Sequence, residues 1–169
     1  MKIFSCKFIS FCLLFVFTTL FLFSSSHLNS DEISSEFKSG YDLAKGCFET
    51  STNKFENNKD KYDYESCILS KEKNFTKEDK KNNLFLLGFN YSAFNYEELR
   101  LILQSLNGPF DTEMVKFALN HYTTTRDLQK KLRIDNTTLA SWLSISKQKL
   151  EDQFDKWDNI KAKYSKPNF

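Results

Sequence analysis

The stretch Ser30-Asp-Glu-Ile-Ser-Ser-Glu-Phe-Lys-Ser-Gly-Tyr-Asp-Leu-Ala-Lys-Gly-Cys-Phe48 decides the fold class. Ile33, Phe37, Tyr41, Ala44 and Phe48 recur at three- and four-residue intervals, the spacing that aligns side chains on one face of an α-helix. Ser30, followed by Asp31 and Glu32, reads as an N-cap with acidic residues in the first turn, where carboxylates meet the positive end of the helix dipole. An amphipathic helix is expected from there to about Glu56, with Cys47 beside its apolar stripe.

The same period continues downstream. Past the polar connection Asn57-Asn58-Lys59-Asp60, a short helix from Tyr62 to Lys71 carries Tyr64, Cys67 and Ile68. Thr76 with Asp79 three residues on has the form of a capping box, opening a helix from Lys77 to Leu87 that Gly88 is expected to stop. Another helix should run from about Asn95 through Glu97, Leu99, Ile102, Leu103 and Leu106 to the terminator Asn107-Gly108-Pro109. Asp111 caps Thr112–Tyr122, whose Met114, Val115, Ala118, Leu119 and Tyr122 share a face with His121. A last helix, Lys147–Tyr164, sets Leu150, Phe154, Trp157 and the stem of Lys161 against a charged face of Lys149, Glu151, Asp152, Asp155, Lys156 and Asp158. Four Gly and two Pro in 169 residues are too few for many short strands and tight turns. The expectation is therefore all-α: one bundle-like domain of six to eight helices over residues 27–164, with 165–169 as a tail.

Upstream, residues 1–26 have the layout of a secretory signal. Lys2 and Lys7 come first, then an apolar run over 8–23, then Ser24-Ser25-Ser26 with small residues at the −3 and −1 positions of a cut. Sixteen helical residues span about 24 Å, short of a hydrocarbon core of roughly 30 Å, so cleavage before His27 is expected over an anchor formed by residues 8–23. The expected location is secreted or periplasmic. The membrane would be engaged only through an uncleaved signal.

Removal of Lys2 and Lys7 leaves 22 basic against 22 acidic residues, a formal charge of zero. Such a balance gives no pull toward nucleic acid or anionic lipid. Two of the four cysteines, Cys6 and Cys12, leave with the signal. Cys47 and Cys67 are then expected to form a disulfide closing a loop of about twenty residues, worth about 3 kcal/mol on the loop-entropy argument. With only His27 and His121 beside them, at no ligand spacing, no metal site is expected, and the pair lacks the C-x-x-C spacing of a redox centre. Asn74-Phe-Thr76, Asn90-Tyr-Ser92 and Asn136-Thr-Thr138 have the sequon pattern, which makes them glycosylation acceptors only in a eukaryotic source.

Leu128, Leu132, Ile134, Leu139 and Trp142 fall at offsets 0, 4, 6, 11 and 14, the hydrophobic skeleton of a helix-turn-helix. Thr124 or Thr125 would cap its first helix and Thr137 its second, with Arg133-Ile134-Asp135-Asn136 as the turn. Over about twenty residues this resembles the helix-turn-helix of DNA-binding proteins. It departs from them at Gln129, where a small residue is usual, and at Arg133, where glycine is. The would-be recognition helix, Thr137–Ile145, carries no Lys or Arg to neutralise phosphates. A packing corner is expected in place of a DNA-reading element, and a membrane-tethered helix-turn-helix regulator is the remoter alternative.

No catalytic constellation, cofactor loop or G-x-S-x-G motif is present. His121, with no nucleophile motif near it in sequence, is expected in the core or at the surface. The leading expectation is a non-enzymatic exported protein that binds another protein through an apolar groove or helix face, without cofactor or nucleic acid. The enzymatic alternative is a helical glycan hydrolase of lysozyme type drawing on Glu36, Glu49, Glu65 or the pair Glu97 and Glu98.

Overall fold

The computed structural model describes residues 33–52, 60–105 and 111–165. The expected signal over 1–26, residues 57–59 of the polar connection, the terminator 107–109 and the tail beyond 165 lie outside them. The described residues form seven helices and no strand: α1 (Ser35–Thr52), α2 (Asp60–Lys73), α3 (Lys77–Lys81), α4 (Asn83–Ser105), α5 (Thr112–Leu132), α6 (Asn136–Trp142) and α7 (Lys147–Tyr164). The all-α architecture expected from the periodicity is the one observed.

α1 starts later than expected. Ile33 and Ser34 precede it, Ile33 is exposed, and the Ser34 hydroxyl accepts from the Phe37 amide at 3.4 Å, the role assigned to Ser30. Phe37 and Ala44 are buried, with Tyr41 and Phe48 half-buried beside them. The capping box at Thr76 and Asp79 is present, but the helix it opens lasts only five residues. Asn82, in an extended conformation, ends α3 and then caps α4, its Oδ1 accepting from the amides of Leu84 and Phe85 at 3.1 Å.

Gly88 stops nothing. It lies inside α4, which runs unbroken for 23 residues through the gap expected before Asn95. A Cβ on Gly88 would sit 2.0 Å from the Phe37 carbonyl oxygen, and one on Gly40 2.0 Å from that of Phe85. The two glycines thus let α1 and α4 touch backbone to backbone, and this pair makes the most extensive helix contact in the structure.

α5 also joins two expected helices. Thr124 and Thr125 do not cap a helix: their hydroxyls donate back to the carbonyls of Asn120 and His121, and the helix passes through them. Asp111 caps the start of α5, as expected, and Arg133 ends it in the left-handed conformation with φ 56°. The helix-turn-helix corner exists, but Asp135 caps α6, accepting from the Thr138 amide at 2.7 Å; Thr137 does not. α6 then stops at Trp142, before the expected Ile145, because Ser144 turns to φ 54° and the Ile145 amide closes back on Ala140.

Leu128, Leu139 and Trp142 are buried, and Leu132 and Ile134 pack against the same cluster. That main core joins α1, α4, α5, α6 and α7 around Phe94, Tyr122, Phe154 and Trp157. Tyr122 donates to the Phe154 carbonyl at 3.0 Å, and Trp157 stands edge-on to Phe94. On α7, Ile160 extends the apolar side, not the exposed Lys161 stem. A second cluster of Ala44, Cys47, Tyr64, Ile68, Phe89 and Ala93 binds α2 to α1 and α4. Within it Cys47 and Cys67 stand at disulfide distance, their Cα atoms 5.7 Å apart.

Candidate functional site

The C-terminal half of α4 reverses the usual order of polar and apolar faces. Glu97 and Arg100 are buried, joined by a 2.7 Å ion pair, and the Arg100 guanidinium lies over the Tyr64 ring at 5.0 Å. Burial, with Glu97 nearby, pushes the Tyr64 hydroxyl well above its ordinary pKa, so it stays protonated and donates to the Ala93 carbonyl at 3.0 Å. Leu99, Ile102 and Leu103 instead face outward, 42 %, 43 % and 47 % exposed. Their i, i+3, i+4 spacing makes a continuous apolar stripe.

Beside that stripe lies a groove of about 360 Å³. Tyr41 of α1 and Tyr91, Asn95, Glu98, Leu99 and Ile102 of α4 form one wall; Leu143 and Ile145 from the α6–α7 corner and Lys149 and Gln153 of α7 form the other. A smaller hollow of about 140 Å³, bounded by Ile33, Phe37 and Trp142, shares Tyr41 and Leu143 with it. The corner that resembles a helix-turn-helix therefore supplies two apolar side chains to the groove.

The polar groups at its base are tied together. The Tyr91 hydroxyl donates to Gln153 Oε1 at 3.0 Å, and the Gln153 amide donates to Asn95 Oδ1 at 3.1 Å and to Glu98 Oε2. Lys156 Nζ donates to Glu98 Oε1 at 2.8 Å. Burial raises the hydroxyl pKa of both Tyr41 and Tyr91, so both remain neutral donors. The network fixes α7 against α4 and leaves the leucine and isoleucine side chains as the groove's adaptable surface.

Of the glutamates considered for glycan hydrolysis, Glu65 and Glu97 both lie near the Tyr64 hydroxyl. Glu36 bonds Ser34 and Ser35 at the start of α1, Glu49 pairs with Lys45, Glu97 faces Arg100, and Glu98 is the one carboxylate among the residues lining the groove. Both hydrolytic geometries require two carboxyl groups flanking one bond. Among the described residues no group of three or more His, Cys, Asp or Glu side chains is placed to hold a metal ion. On α6, Thr137 and Ser141 are exposed, and the helix has seven residues without Lys or Arg.

His121 belongs to the core. It is 1 % exposed, with its ring edge on Phe117 and its Nδ1 2.9 Å from Asn90 Oδ1. Asn90 Nδ2 already donates to the Leu86 carbonyl, so Asn90 Oδ1 is the acceptor and the imidazole proton is assigned to Nδ1. Nε2 has no hydrogen-bond partner among the described residues. Burial holds the ring neutral, its pKa brought down from 6.5 to about 4. Glu72 stands 3.9 Å away, its own pKa raised by burial.

Asn95, Leu143, Ile145, Gln153 and Lys156 were not singled out as site residues by the sequence. No local motif marks them; only the closure of α7 onto α4 makes them neighbours. No protein-family model, curated protein or solved structure matches this chain.

Proposed function

We propose that this chain is an exported helical binding protein whose groove between α4 and the α6–α7 corner receives an amphipathic helix of a partner protein. One observation carries the reading: Leu99 and Ile102 line a groove and, with Leu103 beside them, face solvent, while Glu97 and Arg100 of the same helix are buried. A helix that turns three neighbouring apolar side chains outward while enclosing an ion pair forgoes hydrophobic burial that a partner can complete. The groove's open rows of leucine and isoleucine suit apolar side chains at positions i, i+4 and i+7. Export is supported by the layout of residues 1–26 and by Cys47 and Cys67 at disulfide distance, since such bonds persist in oxidising compartments. Among the described residues no helix is long and apolar enough to cross a membrane.

Selection of helical peptides from a display library against the protein, followed by titration of the selected peptides, tests the reading. Binding should weaken at least tenfold, about 1.4 kcal/mol, in Ile102→Glu, while Leu69→Glu, at an exposed leucine of α2, should bind as wild type. Peptides that bind both variants equally would place the docking surface elsewhere.

A further inference from the structure

The three sequons have separate fates in the fold. Asn90 is buried between α4 and α5, its amide nitrogen on the Leu86 carbonyl and its oxygen on His121; Ser92, which completes that sequon, is fully buried. Asn136 ties three helices together, accepting from Gln129 of α5 at 2.8 Å and donating to Glu151 of α7 at 3.4 Å from the first position of α6. Asn74 differs from both. It lies in the turn between α2 and α3, exposed, with Thr76 exposed two residues on and Phe75 between them packed against Phe85 and Phe89. Its amide makes one local bond, to the Ser70 carbonyl at 2.9 Å. Substitution of the nitrogen leaves one N–H, enough to keep that bond.

We propose that Asn74 is an N-glycan acceptor and that Asn90 and Asn136 carry no glycan in the folded protein. The proposal rests on export by a eukaryotic secretory route, because the transfer takes place on chains entering a secretory lumen. Asn74 Nδ2 displaces the lipid diphosphate from C1 of a lipid-diphosphate-linked oligosaccharide. The C–N bond forms, the C1–O bond breaks, the lipid diphosphate leaves with the electron pair and the amide loses one proton. A sugar at Asn74 extends from the α2–α3 turn into solvent, whereas one at Asn90 would have to occupy the packed α4–α5 contact. The groove draws its lining from α1, α4, α7 and the α6–α7 corner, so no lining residue comes from this turn.

The test is secretion of the full chain from a eukaryotic cell, treatment with peptide-N-glycosidase, and mass spectrometry of the sites where release converts Asn to Asp. The expected result is a secreted protein with one glycan, mapped to residue 74 and absent from Asn74→Gln, which should still be secreted. A secreted wild-type chain without glycan, or one modified at Asn90 or Asn136, overturns the proposal and leaves export standing. A chain retained in the cytosol without glycan overturns both.

Discussion

The two halves of α4 are built to opposite rules. From Phe85 to Phe94 nearly every side chain is buried, aromatics alternate with small residues, and Gly88 brings the helix against α1 with no side chain between the backbones. From Asn95 to Ser105 charge goes in and part of the apolar surface comes out: Glu97 and Arg100 are enclosed with Leu101, while Leu99, Ile102 and Leu103 face solvent. Both halves are helical and rich in apolar residues, so neither propensity nor composition separates them. What separates them is whether another of the described elements covers the stripe. The first half holds the protein together, and the second offers a surface.

The sharpest break of the first half should come from the core it supports. Trp142→Ala removes a ring packed on Phe37 at 5.1 Å and is expected to cost about 3–5 kcal/mol in urea unfolding, as large core truncations do. Gly88→Ala comes next. Helix propensity alone favours alanine by about 1 kcal/mol, yet a Cβ 2.0 Å from a carbonyl oxygen must push α1 off α4, so a net loss of about 3 kcal/mol is expected. Gly46 of α1 supplies the contrast, since nothing lies within 4 Å of its would-be Cβ; Gly46→Ala should stabilise by about 0.5–1 kcal/mol. Equal effects at the two glycines would contradict the close helix contact.

His121 sharpens the comparison through pH. Between 6.5 and about 4 the unfolded chain takes up a proton that the buried imidazole refuses. Stability from this group is therefore full above pH 6.5 and falls as pH drops toward 4, by up to about 3 kcal/mol. Glu72, whose pKa is raised by burial, binds its proton more readily in the folded chain and offsets part of that loss at the acid end. Urea midpoints at pH 7 and pH 4.5 should differ in wild type and differ less in His121→Gln.

Helix class and several helix starts were legible because they are local: Asp111 and the pair Thr76 and Asp79 are cap signals, and the span Lys147–Tyr164 follows a period of 3.6. Gly88 was misread because a glycine that ends a helix and one that admits another helix have the same side chain; only Gly40, 48 positions away, tells them apart. Thr124 and Thr125 were misread because threonine hydroxyls that cap a helix can equally bond back to a carbonyl four residues earlier. The groove lay further out of reach. Periodicity located Leu99, Ile102 and Leu103 on a helix without saying whether anything covered them, and Gln153 and Lys156 meet Glu98 only through tertiary closure.

The most direct measurement is the urea unfolding free energy of a Leu99→Lys, Ile102→Lys double variant. Side chains already facing solvent should tolerate lysine with a change within about 1 kcal/mol, while the peptides that bind wild type are lost. A loss of about 3 kcal/mol or more would show that the stripe is covered core, and the account of α4 as half scaffold and half docking surface would be wrong.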